Sequence, residues 1–253
     1  ISKVSLAKNG NISPNPESTL IVSENIGHIG SLGFFNWPSA GVKSKLNGGS
    51  YGAISIVVQY NSEPFGSLLA PGYAFQYTES GNFEQYTRTA TNQGNTISNV
   101  KVVRCAAHVD ADNNQLCDYC NTDLTGMAAS VTTAGTGSKT YFFSDLADAF
   151  KAVADKKADG ATVTLLSNVT VSEGLYVYYD QVLDLNGFTI DGSKAAGGTQ
   201  ILITDAGITL TVCDSSTEKT GAITNSSNGW SVYAGTGTLN VSGGSFGSVF
   251  LSN

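Results

Sequence analysis

Short stretches of alternating or β-branched apolar residues dominate the first hundred positions of the chain. Residues 53–60 form an apolar, β-branched run, and residues 72–79 alternate between aromatic and smaller or polar side chains. Both patterns are typical of strands, and residues 18–23 and 97–104 are two further predicted strands. The pattern therefore predicts a β-sandwich over residues 1–104, compatible with immunoglobulin-like and jelly-roll topologies alike.

A glycine-rich segment, residues 27–52, does not fit this strand pattern. It contains seven glycines together with clustered aromatic residues. Glycine permits irregular backbone and aromatic side chains provide large contact area, a combination that binding loops often use. Two interpretations stay open: the aromatic rings fill the sandwich core, or they form an exposed partner-binding loop. The residues concerned are Phe34, Phe35, Trp37 and Tyr51.

One amphipathic helix is predicted over residues 144–157. Ser144 is a suitable N-cap, and lysines fall in the last turn. The apolar positions of this segment share one helical face: Leu146, Ala149, Phe150 and Val153. After the helix the apolar period changes to two. Short strands are predicted there at residues 162–166, 169–171, 175–178 and 182–185.

An apolar–polar–apolar triplet then recurs at intervals of 27 and 29 residues. The copies are Leu183-Asp184-Leu185, Leu210-Thr211-Val212 and Leu239-Asn240-Val241, and each is followed by a further apolar residue, Ile190, Ile223 and Phe246 respectively. Repeats of this length built from very short strands indicate a right-handed parallel β-helix over residues 139–253, capped by the helix at its first coil. We expect the first apolar residues of the three copies to form one inward column and the last apolar residues to form another.

Composition narrows the class of protein. The 253 residues carry a formal net charge of −7, and only 13% are charged, which provides no basic surface for nucleic acid. No apolar run approaches the ~18 residues that a membrane span needs. A low charge with abundant Gly, Ser, Thr and Asn favours a monomeric, extracellular protein of the bacterial cell surface.

The distribution of aspartate predicts two modules. Residues 1–109 contain no aspartate, whereas the remainder contains thirteen. Such a change favours separate modules at 1–104 and 139–253. Between them, residues 105–138 read as a Cys/His/Asp-rich clip followed by a Thr/Gly/Ser-rich linker.

Three of the four cysteines and one of the two histidines fall within sixteen residues of this clip. Cys105, His108, Cys117 and Cys120 form a C-x2-H…C-x2-C pattern. Paired ligands two residues apart can bind one metal ion, and a second pair completes a tetrahedron. This spacing favours a structural zinc site.

Two other interpretations of the clip stay open. Four oxygen-bearing residues fall at positions 1, 3, 5 and 9 of a calcium-loop count: Asp110, Asp112, Asn114 and Asp118. However, Gln115 replaces the usual turn glycine, and Asn121 replaces the bidentate glutamate. A disulfide between Cys105 and either Cys117 or Cys120 is the third interpretation, because an extracellular protein is exposed to oxidation.

The repeat and the clip together resemble parts of a known class of protein. The run LDLNGFTIDGS at residues 183–193, with the strand at 161–166, is similar to the first coils of pectate-lyase-like β-helical surface proteins of gut Firmicutes. The stretch HVDADNNQLCDYCNTDL at residues 108–124 resembles a short Cys/Asp element found in such proteins. The resemblance implies a modular surface adhesin. Its first module would bind a host glycoprotein, mucin, immunoglobulin or other host protein or glycan, and its β-helix would act as a rigid stalk.

The alternative is a carbohydrate-binding and stalk segment of a glycan-degrading β-helix enzyme whose active coils lie outside the sequence given. Catalysis by these residues themselves is not expected. There is no arginine after Arg104 and no histidine after His108. The solenoid aspartates are explained by capping of turns.

Overall fold

The computed structural model describes residues 21–22, 27–36, 45–58, 65–77, 96–195, 198, 200–225 and 229–252. These residues are mostly strands, with one α-helix among them, so the fold class is all-β. The chain divides into two compact units, Ile1–Asp123 and Leu124–Asn253. Each unit is described below by itself.

Within the described residues, the first unit contains six strands and a 3-10 helix at Phe65–Leu68. The strands are β1 (Ile21–Val22), β2 (His28–Asn36), β3 (Lys45–Leu46), β4 (Ser50–Val58), β5 (Tyr73–Tyr77) and β6 (Thr96–Arg104). Four of them form a mixed sheet. The sheet order is β2-β4-β6-β5, in which β2 and β4 are parallel and the other pairs antiparallel. Strands β1 and β3 form a separate parallel pair. The predicted strands at 72–79 and 97–104 correspond to β5 and β6, and the sandwich stays a prediction.

A strand lies in the glycine-rich segment that did not fit the strand pattern. Strand β2, within residues 27–52, pairs in parallel with β4. A side chain at Gly52 would come within 2.5 Å of the carbonyl oxygen of Gly30, so glycine is required for this close approach. The burial alternation also breaks at this point, since Ile29 and Leu32 both face the core.

The second unit is built from short strands in three stacks. They are β7 (Ala129–Thr132), β8 (Thr140–Phe143), β9 (Ala161–Leu165), β10 (Val169–Thr170), β11 (Leu175–Tyr176), β12 (Gln181–Asp184), β13 (Thr189–Asp191), β14 (Ile201–Ile203), β15 (Thr209–Cys213), β16 (Ala222–Ile223), β17 (Val232–Ala234), β18 (Thr238–Val241), β19 (Ser245–Phe246) and β20 (Val249–Leu251). The sheet orders are β10-β13-β16-β19, β11-β14-β17-β20 and β18-β15-β12-β9-β7-β8. From β9 onward every pairing is parallel, and successive strands of the chain pass from one sheet to the next.

Strand β7 occupies part of the predicted linker. It pairs antiparallel with both β8 and β9, and Ala129 and Val131 are buried. The boundary between the units follows Asp123, so the clip belongs to the first unit. The prediction of a linker through residue 138 is therefore wrong, because small and β-branched residues in this polar stretch fill a sheet position.

The predicted helix is present as α1, Leu146–Lys156. Its four predicted apolar residues are all buried, as expected from their spacing. The predicted cap is wrong by one residue: the carboxylate of Asp145, not Ser144, accepts a hydrogen bond from the Ala147 N–H at 2.7 Å. The helix ends at Lys157, whose φ of 51° is left-handed.

The predicted register is correct for two of the three triplets, but the third triplet is not buried: Leu239 is half-buried and Val241 is 52% exposed. Strand β15 pairs Leu210 with Leu239 of β18, and Val212 with Val241. Strand β12 is displaced by two residues, so that Leu183 lies opposite Val212 rather than Leu210. The predicted register of the first triplet is therefore wrong. A shift of two keeps the same residues facing inward, because side chains alternate with period two.

A polar residue explains this displacement. Gln181 lies opposite Leu210 and is buried, so a glutamine occupies a position that the apolar pattern assigns to leucine. The apolar residues that follow the triplets do align with one another. Ile190 pairs with Ile223, which in turn pairs with Phe246, despite the insertion before Ile223.

Candidate metal centre

A tight turn at the end of the first unit brings two cysteines together. The Asn121 N–H donates to the Cys117 carbonyl oxygen at 2.8 Å, and the Cys117 N–H donates to the Thr122 carbonyl oxygen at 2.8 Å. Asn121 adopts a left-handed φ of 60°, which asparagine tolerates better than most residues. Leu116 and Asp123 close the turn as an antiparallel bridge. The sequence C-x2-C thus folds into a compact loop that presents Cys117 and Cys120 on one side.

The four predicted zinc ligands converge and are buried. Their ligand atoms all lie within 4.8 Å of one another, and each residue is at most 7% exposed. The Sγ atoms of Cys105 and Cys117 are 3.9 Å apart, and Cys120 Sγ is 3.3 Å from His108 Nδ1. A tetrahedral zinc ion with Zn–S of about 2.3 Å and Zn–N of about 2.05 Å would give edges of about 3.8 and 3.5 Å. The observed separations match those edges.

Disulfide formation is not what this geometry shows. All four cysteines are free, and the Sγ atoms of Cys105 and Cys117 are much farther apart than the ~2.05 Å of a disulfide bond. The disulfide interpretation is therefore wrong for this structure. Cys213, the fourth cysteine, is half-buried in β15 of the second unit and takes no part in the centre.

The electrostatics of the centre favour a cation. Hydrogen bonds from Cys105 and Cys120 lower the pKa of the Cys117 thiol, which stabilises a thiolate there. The hydrogen bond with Cys117 raises the pKa of the Cys105 thiol. Cys117 is therefore the first of these two thiols to lose its proton. Burial lowers the pKa of His108, but hydrogen bonds to Cys117 and Cys120 outweigh it and raise that pKa to about 9. The buried thiolate thus draws positive charge toward the position that a metal ion would take.

The donor set indicates which metal fits. Three thiolates and one imidazole are soft and borderline ligands of the kind that zinc prefers in four-coordinate sites. An ion bound by all four side chains in tetrahedral geometry would have no position left for a water molecule or a substrate.

A second group of possible ligands lies in the same loop. The carboxylate oxygens of Asp110, Asp112 and Asp118 are within 4.8 Å of one another. Asp110 accepts the N–H groups of Asn114 and Gln115, both at 3.0 Å. Backbone donors therefore shape this acidic loop.

Positions 5, 6 and 9 of the calcium-loop count can be compared with the structure. At position 5, the side chain of Asn114 bonds within the loop, to the Asp112 carboxylate and the Leu116 N–H. At position 6, Gln115 adopts the left-handed φ of 66° that glycine usually provides. At position 9, burial raises the pKa of Asp118, and the neighbouring carboxylates of Asp112 and Asp110 raise it further. A hydrogen bond from the Ala111 N–H lowers this pKa, but by less than the other effects raise it. Calcium binding here stays a prediction.

The predicted aromatic binding loop is corrected at one residue. Tyr51 is 1% exposed, and its hydroxyl donates to the Gly48 carbonyl oxygen at 2.8 Å, so it belongs to the core of the first unit. The prediction that Tyr51 contacts a partner is therefore wrong. Phe34 and Phe35 lie in β2, with side chains outside the described residues, and Trp37 is also outside them.

Pairing of β2 with β4 creates one contact that the sequence analysis missed. His28 Nδ1 lies 3.1 Å from Ser50 Oγ, and the two residues are directly opposite in the sheet. The two residues are 22 positions apart in the sequence, so this contact could be predicted only if the register between β2 and β4 were known. His28 is exposed, and no carboxylate within the described residues hydrogen-bonds to the pair.

Comparison with known proteins adds no further constraint. No protein-family model, curated protein or solved structure matches this chain. Within the described ranges, no helix has the length and apolar character required to cross a bilayer. The function must therefore be argued from the metal centre and the stacked sheets themselves.

Proposed function

We propose that this chain is a non-catalytic segment of an extracellular bacterial adhesin. In this proposal the first unit binds a host protein or glycan, and zinc at Cys105, His108, Cys117 and Cys120 holds the loop that ends this unit. The second unit forms the start of a right-handed parallel β-helix that acts as a stalk. The observation that carries the proposal is the closed Cys/His centre.

A closed centre supports a structural role because of its coordination chemistry. Catalytic zinc sites keep one position open for water or substrate, whereas structural sites use four protein ligands. Here the ligand atoms of four almost fully buried side chains lie within 4.8 Å of one another, and two of the separations match tetrahedral edges. When bound, zinc would contribute folding free energy to the loop at residues 105–123. Such stabilisation suits a small loop that has few apolar side chains of its own.

The β-helix proposal draws on the three stacks of the second unit. Each stack contains four successive parallel strands, and inward residues such as Leu183, Val212 and Ile223 are completely buried. A single coil of this size could not bury these residues, so its stability depends on the coils stacked against it. The antiparallel strands β7 and β8 lie beyond β9 in the third stack, where they cover one edge. Right-handed crossing is the usual outcome for parallel connections.

Binding and turnover by the whole chain test this function. Immobilised chain is exposed to purified mucin, to secretory immunoglobulin and to serum albumin as the control, and binding is followed by biolayer interferometry. We expect saturable binding to mucin or immunoglobulin, without release of new reducing ends from mucin. Absence of binding to both would leave only a spacer role and refute the adhesin proposal. Release of reducing ends by the chain itself would contradict the non-catalytic assignment.

A further inference from the structure

The outer face of one stack in the second unit carries an unusual row of aromatic side chains. Strands β11, β14, β17 and β20 place Tyr176, Leu202, Tyr233 and Phe250 directly opposite one another, one per strand. Their neighbours along the chain point inward: Leu175, Ile201 and Val232 are buried. The row therefore faces outward, away from the core of its unit.

Two further aromatic residues widen this row. The rings of Tyr176 and Tyr178 stack with centroids 6.1 Å apart, and both residues are 48% exposed. At the other end, Tyr233 and Phe250 are nearly parallel at 5.0 Å, and Trp230 lies 5.3 Å from Phe250. We call Tyr176, Tyr178, Trp230, Tyr233 and Phe250 the aromatic strip.

We propose that the aromatic strip binds a neutral glycan chain. The faces of aromatic rings are electron-rich, and they attract the polarised C–H groups on the flat faces of pyranose sugars. The outward residues of β11, β14, β17 and β20 carry no charge, which matches a neutral ligand better than an acidic one. This proposal goes beyond the function given above, in which the second unit is a stalk alone.

The size of the strip favours a glycan over a protein partner. It is one to two side chains wide and spans three inter-strand steps of ~4.8 Å, or about 14 Å in all. A stable protein interface buries about 800 Å² on each partner, which is more than the five side chains of the strip expose. A sugar chain is also narrow, and its repeating rings can lie along successive aromatic side chains.

Tryptophan fluorescence provides a direct test. The chain has two tryptophans, so W37F leaves Trp230 as the only indole. The full-length W37F protein is titrated with three neutral probes, cellohexaose, mannohexaose and chitohexaose, and with the acidic probe hexagalacturonate. We expect a saturable change in Trp230 emission with at least one neutral hexasaccharide and none with the acidic one.

Two variants and a control locate the binding. Y176A/Y178A removes exposed rings, whereas Y233L keeps an apolar side chain like that of neighbouring Leu202 and removes only the ring. We expect each of these two variants to raise the dissociation constant by about tenfold or more. Y141A in β8 removes a half-buried tyrosine from a different sheet and should leave binding unchanged.

Three results would overturn the proposal. These are no binding of any neutral probe, equal binding of the acidic probe, or unchanged binding by both strip variants. Circular dichroism of each variant confirms that the sheets remain folded. Because mucin and immunoglobulin binding is assigned to the first unit, strip variants that keep that binding separate the two proposals.

Discussion

Truncation of Leu210 to alanine tests whether the second unit is stabilised by stacked coils. Leu210 is completely buried in β15, between Gln181 of β12 and Leu239 of β18. The substitution removes three carbon groups, worth roughly 2–3 kcal/mol in transfer free energy at about 0.8 kcal/mol each. A cavity between fixed strands adds to this cost, so we expect a loss of about 3–4 kcal/mol, within the range of about 2–5 for buried leucines.

The matched control is L239A. Leu239 is only half-buried, and it has a strand partner on one side within the described residues. Its truncation should cost about 1 kcal/mol, since less apolar area is lost and less cavity remains. Urea titrations in the W37F background, followed by Trp230 emission, report the unfolding of this unit. Equal costs for L210A and L239A, or a cost below about 1 kcal/mol for L210A, would refute the stacked-core reasoning.

Two further predictions concern the metal centre and a buried carboxylate. H108A should abolish stoichiometric zinc binding, measured by native mass spectrometry, and retained zinc would exclude His108 as a ligand. Although burial raises the pKa of Asp214, hydrogen bonds from Ser216 and Gly221 outweigh it, and the pKa is lowered. Because an aspartate with a lowered folded pKa stabilises above its unfolded pKa of about 3.9, this contribution should disappear as the pH falls below about 4. D214N should therefore flatten the acid limb of the stability–pH curve, and an unchanged acid limb would refute this assignment.

Much of the second unit could be predicted because its sequence obeys simple periods. The apolar face of α1 follows the helical repeat, and Ile190, Ile223 and Phe246 align as expected. The displaced register of β12 could not be predicted, because Gln181 occupies an inward position that the pattern reserves for apolar residues. Strand β7 could not be predicted either, because its alanine, serine and threonine residues are typical of a linker.

The first unit was harder to predict because glycine interrupts its strands. Gly30 and Gly52 lie where two backbones approach closely, and they break the alternation that identifies a strand. The four residues of the Cys/His cluster were easier to predict. Cys105, His108, Cys117 and Cys120 follow a spacing fixed by coordination geometry, so sequence alone identified the whole set. The choice between metal and disulfide required the Sγ–Sγ distance.

Zinc K-edge X-ray absorption on the purified full chain is the most direct test of the structural role given to the Cys/His centre. Four protein ligands in a closed site predict three sulfur atoms at about 2.3 Å and one nitrogen at about 2.05 Å from the zinc ion. The same four-ligand shell should persist when the glycan and mucin probes are added. An additional oxygen ligand from water would mark an open, catalytic site and contradict the account. Oxygen-only coordination, or cysteines joined as a disulfide without bound zinc, would contradict it equally.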